Sequence, residues 1–383
     1  MQKWLLPEYI EDILPAEAER VERLRRRILD LFHAWGYELV VPPMLEYLDS
    51  LLTGTGHDLD LKTFKLVDQL SGRMLGLRAD ITPQVARIDA HLLNRQGVTR
   101  LCYAGTVLHT QPSGLLRTRE PMQIGAEIYG HGGLESDIEI QALMLSALKA
   151  AGLDGIHLDL GHVSVFRSLV TRASLTEEKV AELFQVLQAK DVAALRELSS
   201  GLDAKTRDAL LLLPELYGGP EILDVARKRL PGYPELLACL DLLQAIGRQL
   251  NGDVGELCFD LAELRGYHYH SGVVFAAYVR GRPEAIVRGG RYDEVGRAFG
   301  RARPATGFTM DLRELAGMGN RDDKAPRVLA PHAPEDKALQ AEISRLRAAG
   351  SVVIVDFPGH EGSRAELGCD KQLVRSGSAW KVE

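Results

Sequence analysis

Apolar residues at Val21, Leu24, Ile28, Leu31 and Phe32 recur at the spacing of one helical face, so Ala16–Trp35 is predicted as a long amphipathic helix stopped by Gly36. The apolar run Tyr37–Val41 predicts a short strand, ended at Pro42–Pro43 because successive prolines remove ladder donors. Asp68–Arg87 (DQLSGRMLGLRADITPQVAR) predicts a glycine turn, an apolar strand and a helix opening at Thr82–Pro83, with threonine as N-cap and proline in the first helical position. That order puts Arg78, Asp80 and Thr82 at a strand end. Leu101–Gly130 predicts a strand, a polar loop (His109–Glu120) and a returning strand on which period two places Gln123, Gly125 and Glu127 on one face.

The stretch 163–250 carries Leu, Ala, Glu and Lys at helical spacing, broken at Gly218–Pro220 and Pro231–Gly232, and predicts a helical insertion. Its charge runs, Glu177–Lys179 and Arg227–Arg229, read as solvated helix faces. A strand-like run, Gly255–Leu261, leads into Arg265–Tyr278 (RGYHYHSGVVFAAY), where Gly272 permits close backbone approach before a strand at Val273–Tyr278. From Ala325 the pattern is strand (Arg327–Ala330), helix (Glu335–Ala349), Gly350 and strand (Val352–Asp356), a small α/β appendage. Two domains are expected, 1–320 with the insertion at about 163–250, and 321–383.

Composition narrows the class. With 383 residues, 45% hydrophobic and 26% charged, the chain is long enough to bury a sizeable core. A net charge of −7 and a pI of 5.9 argue against a broad basic face for nucleic acid. Cys102, Cys239, Cys258 and Cys369 lack metal-ligand spacing and form no disulfide framework, so a reduced cytoplasm is expected. The opening MQKWLLPEYIEDILPAEAE lacks a signal-peptide pattern, and no apolar run suggests a membrane span.

Candidate chemistry concentrates in two places. Gln123 and Glu127 on an otherwise apolar strand are costly to bury unless they bind something. Arg265, Tyr269 and His270 gather beside a strand start; His268 and His270, without a carboxylate or cysteine partner nearby in sequence, do not predict a metal site.

RGYHYHSGVVF, GGRYDEVGRAFG, PATGFTMDL, LGLRADITPQ and QIGAEIYG together resemble the histidyl-tRNA synthetase catalytic domain over about Leu5–Leu315, and the first resembles that family's histidine-loop motif. Helix, strand and proline at the start resemble the first class II synthetase motif, which builds the dimer interface in that family. LRADITPQVAR and LLPEYIEDILP resemble more closely the synthetase-like regulatory subunits of ATP phosphoribosyltransferase, found with a short-form catalytic subunit. The resemblance implies an α+β fold, with an antiparallel class II aminoacyl-tRNA synthetase-like sheet flanked by helices, in a dimer. It also implies a histidine-shaped pocket. There Asp80 and Thr82 hold an α-ammonium, Gln123 and Glu127 line the wall, Tyr269 and Tyr292 reach the imidazole side, and Arg265 faces the carboxylate. His270 stands where the family usually has a second tyrosine.

Departures from the synthetase pattern decide the expected chemistry. The phosphate-binding arginine falls at His109, the adjoining acid at Gln111 and the arginine of the third motif at Glu314. A histidine near its reference pKa of ~6.5 is mostly neutral and a glutamate repels a triphosphate, so adenylation is expected to be lost. The C-terminal appendage is also shorter than an anticodon-binding domain. The resulting expectation is a non-catalytic regulatory subunit without a cofactor. It would dock on the short catalytic subunit in a hetero-octamer and respond to L-histidine, and would have no tRNA or membrane partner. The alternatives are a histidine-activating or aminoacylating enzyme with an aberrant site and a free-standing histidine-binding module.

Overall fold

The computed structural model describes residues 4–54, 57–112, 114, 117–267, 269–319 and 326–383 and divides into two compact units, Met1–Gly319 and Asn320–Glu383. Among the described residues of the first unit, nine strands pair in the order Glu38–Leu39, Thr99–Thr106, Met122–Tyr129, Ala305–Asp311, Val287–Arg291, Val273–Tyr278, His157–His162, Glu256–Asp260 and Tyr217–Gly218. The expected antiparallel sheet is mixed: Glu38–Leu39 runs parallel to Thr99–Thr106, and His157–His162 parallel to Glu256–Asp260. Each parallel pair is separated by a long connection, as parallel pairing requires.

Register determines what the sheet can display. Tyr103, Gly125, Thr309, Arg288, Ala276, Asp159 and Cys258 are successive cross-strand partners. Paired residues share a face, so this row runs along one side of the sheet.

The helix Pro15–Ala34 buries Val21, Leu24, Ile28 and Phe32, and Phe32 meets Phe308 edge-on at 5.9 Å. Its neighbour Leu134–Ala150 is tied to the sheet by Asp137, which pairs with buried Arg291 at 2.9 Å. The helices from Ser164–Arg172 to Pro234–Leu250 occupy the predicted insertion, and their Phe166, Leu183, Leu210 and Leu240 join the core beneath the sheet. No helix among the described residues is long and apolar enough to cross a membrane. The second unit packs Val328, Leu339, Ile343, Val353 and Leu373 into its own core.

Two local expectations need correction, and the end of the chain adds an element. The first strand shrinks to Glu38–Leu39, because Tyr37 turns into the core. Thr82 is not the N-cap: Ile81 holds that position, and Asp80 Oδ1 accepts the Thr82 amide at 3.1 Å. The terminal residues form a hairpin, Lys371–Ser376 with Ala379–Val382, turned at Gly377 where φ is 64°.

Candidate functional site

A cavity of ≈ 320 Å³ opens on the sheet face where Gln123, Thr309 and Arg288 stand, walled by Asp80, His109, Arg117 and Glu314. Asp80 is presented by the turn between the strand Met74–Leu77 and the helix Thr82–Arg87. Gln123 Oε1 accepts the Ile81 amide at 3.0 Å, which locks that turn against the Met122–Tyr129 strand and leaves the Gln123 amide nitrogen for a ligand.

Beside the cavity, farther along the same face of the strand Met122–Tyr129, lies a tyrosine–carboxylate cage. Thr82 Oγ1 meets the Tyr103 hydroxyl at 3.0 Å, Tyr103 donates to Glu127 at 3.2 Å, and the Tyr292 hydroxyl closes on the other Glu127 oxygen. Burial pushes the Glu127 carboxyl up to about 8, against the hydrogen bonds from Tyr292 and Tyr103 and aided by the charge of Asp80. Tyr269 stacks 5.0 Å from Tyr292, and its buried hydroxyl has no partner among the described residues. An unmet buried hydroxyl costs about 1–3 kcal/mol, so it is a place where a ligand gains a hydrogen bond without displacing one. Two glycines make the cage possible: a Cβ at Gly307 would lie 1.4 Å from the Glu127 carboxylate, and one at Gly125 2.4 Å from the Tyr103 hydroxyl.

Asp80 and Gln123 thus line the cavity, whereas Thr82, Glu127, Tyr269 and Tyr292 form the adjoining cage and are not part of its wall. His270 is in neither. It fills a slot between Gly266 and Gly290, bonds the Arg291 carbonyl at 3.3 Å, and is pushed down to about 4 by desolvation. Arg265 also departs from its expected place. Its guanidinium bonds the Tyr278 hydroxyl at 3.3 Å and lines a separate cavity of ≈ 860 Å³ farther along the same sheet face. His268 lies outside the described residues.

The three positions where the resemblance led one to expect phosphate-binding groups are occupied as follows. His109 Nε2 sits 2.9 Å from the Ala79 carbonyl, and desolvation holds the imidazole below its usual range, which favours the neutral form. Gln111 is exposed and off the cavity wall. Glu314 is gripped by Arg117 at 3.1 Å and Arg282 at 3.0 Å. Arg313 turns away to Glu11 at 2.9 Å and Glu17 at 3.4 Å.

Three cavity-lining cations, Lys62, Arg117 and Arg288, escaped the sequence reading. Arg288 lines the cavity at the centre of the sheet row, and no ion pair is seen for it among the described residues. Desolvation and the neighbouring Arg265 and Arg117 depress its guanidinium, partly offset by Tyr278 and Glu263. Period two along Val287–Arg291 was its signal, one residue before the glycine motif.

Residues 9–315 match the family model for histidyl-tRNA synthetase, and residues 325–383 match that for the ATP phosphoribosyltransferase subunit HisZ C-terminal domain. A Nitrosospira multiformis protein named ATP phosphoribosyltransferase regulatory subunit is 60% identical over 386 residues, covering 100% of this chain and 98% of that one. The chain belongs to the ATP phosphoribosyltransferase regulatory subunit family. A solved regulatory subunit/histidyl-tRNA synthetase of Bacillus halodurans shares the family fold, with a TM-score of 0.84 and 28% identity over 96% of this chain and 97% of that one. Histidyl-tRNA synthetase of Nostoc, at 19% identity and a TM-score of 0.78 over 98% and 92%, is similar in fold alone. The appendage expected as a shortened anticodon-binding module is the C-terminal domain of the regulatory-subunit family.

Proposed function

We propose that this chain is a non-catalytic, cytoplasmic regulatory subunit. Its short-form partner joins ATP to phosphoribosyl pyrophosphate in the first step of histidine biosynthesis, and histidine bound in the ≈ 320 Å³ cavity is the feedback signal. The observation that carries this reading is the contrast within one cavity. Both charges a zwitterion needs are present in Asp80 and Arg288, while the phosphate-gripping positions hold a neutral His109 and an already paired Glu314. Asp80 takes the α-ammonium, Arg288 takes the carboxylate in place of Arg265, and the Tyr269 hydroxyl with Glu127 beside the cavity takes the imidazole nitrogens. The last step requires the cage to open toward the cavity. Such a site rejects apolar isosteres because its own polar groups would be left unpaired.

Calorimetry with histidine and histamine tests the assignment, because histamine keeps the ring and ammonium but lacks the carboxylate. A charge-assisted bond is worth about 1.5–3 kcal/mol, so Arg288→Gln should weaken histidine binding roughly 10- to 150-fold and leave histamine binding nearly unchanged. A larger loss from Arg265→Gln would return the carboxylate to Arg265. No histidine binding to the chain, alone or assembled with its partner, would end the reading itself.

A further inference from the structure

The ≈ 860 Å³ cavity is bordered by a group of side chains that the histidine reading does not use. The strands His157–His162 and Glu256–Asp260 run parallel with His157 opposite Glu256 and Asp159 opposite Cys258. Residues two apart on a strand share a face, so all four side chains project from the same side of the sheet. His157, Asp159 and Glu256 line the cavity, and Cys258 is buried beside them.

The distances come close to those of a ligand set. His157 Nδ1 is 3.0 Å from Glu256 Oε2, and Cys258 Sγ is 3.9 Å from Glu256 Oε1. One nitrogen, one oxygen and one sulfur from these residues all lie within 4.8 Å of one another. A tetrahedral ion with bonds of ~2.0 Å to nitrogen and oxygen and ~2.3 Å to sulfur holds its ligand atoms roughly 3.2–3.6 Å apart. The group therefore needs only small side-chain shifts to close on an ion. The second nitrogen of His157 is 2.7 Å from Asp159 Oδ1, where a ligating imidazole ordinarily finds the carboxylate that fixes its tautomer and orientation.

The mixture of imidazole, carboxylate and thiol excludes the hard cations, which take oxygen ligands, and suits a borderline divalent ion. We infer that His157, Glu256 and Cys258 bind a zinc-class divalent cation, with Asp159 as the positioning residue behind the imidazole and a fourth coordination position facing the cavity. The competing state is an ion-free network in which His157 bridges the two carboxylates.

Cobalt titration of the full-length chain, stripped with chelator and kept reduced, separates the two. The expected result is one equivalent bound, tetrahedral visible bands and a thiolate-to-cobalt charge-transfer band in the near ultraviolet, all displaced by zinc and none by magnesium. Cys258→Ser should remove the charge-transfer band. Because that residue is buried, Glu256→Gln is the second variant: Glu256 is exposed, and its loss should lower cobalt affinity at least tenfold, about 1.4 kcal/mol, with the circular dichroism unchanged. Absence of the charge-transfer band in the parent chain, or affinity indifferent to both substitutions, would overturn the site and leave a hydrogen-bonded network.

Discussion

Glu127 illustrates how far a single residue's chemistry can move with its surroundings. Its carboxyl stands at about 8 in the fold against an ordinary ~4.3 in the unfolded chain. Between those values the folded state keeps a proton that the unfolded state has released, so Glu127 makes stability fall as pH rises from about 4.3 to about 8. The slope is at most ~1.4 kcal/mol per pH unit. Glu127→Gln keeps hydrogen bonding without ionisation, and urea unfolding across this window should give a flatter decline than the parent; an identical slope would place the titrating group elsewhere. His109 and Glu314 support a second expectation at this scale. With one neutral and the other held by Arg117 and Arg282, the chain should catalyse no histidine-dependent exchange of pyrophosphate into ATP, and exchange by a clean preparation would restore the synthetase reading. Asp80 and Gln123 were legible in sequence because a strand end and period-two alternation are local signals. Arg265 was misplaced because Gly266, at φ 69°, belongs to a turn whose side-chain directions no short pattern encodes.

Elements were legible wherever their periodicity was strong, and their partners were not. The helix Pro15–Ala34 and the strands Val273–Tyr278 and Arg327–Ala330 fall within a residue or two of their predicted bounds, since apolar spacing and a stop signal suffice for each. The pairing of His157–His162 with Glu256–Asp260 depends instead on bringing together residues on either side of the whole helical insertion. That is why Cys258 looked isolated in sequence. Close approach between elements is similarly hidden until the register is known. Gly307 on the strand Ala305–Asp311 faces Glu127 on its neighbour, and an added Cβ would meet both that carboxylate at 1.4 Å and the Ala126 carbonyl at 2.7 Å. Backbone cannot give way as a side-chain tip can. Gly307→Ala should therefore cost roughly 1–3 kcal/mol in denaturant unfolding and disturb the Tyr292–Glu127 contact; near-neutral stability would mean that the strands can separate and the cage is less tight than its geometry implies.

At the scale of the whole molecule, apolar exposure marks where other chains belong. Leu39, Val41, Leu45 and Tyr47 lie together in sequence after the first helix and are 52%, 79%, 43% and 39% exposed, the first two in the segment whose resemblance implied a dimer interface and the others just beyond it. A monomer seldom leaves such residues in one region to water, so sedimentation should find a dimer and Val41→Asp should shift it toward monomer. Assembly with the catalytic subunit is the larger claim, and it follows from the family to which this acidic chain belongs. Mixing this chain with a short-form catalytic subunit should give a species larger than either by light scattering, and turnover should rise and saturate as the chain is added. Histidine should then inhibit the complex only through its differential affinity for active and inactive arrangements, typically about 1–3 kcal/mol, or roughly 5- to 150-fold. Arg288→Gln places the sensor: an inhibition midpoint moved to higher histidine in an intact assembly puts sensing in this chain. An unmoved midpoint in the same assembly would put it on the catalytic partner, leaving the charged cavity beside Asp80 as a remnant of the synthetase site.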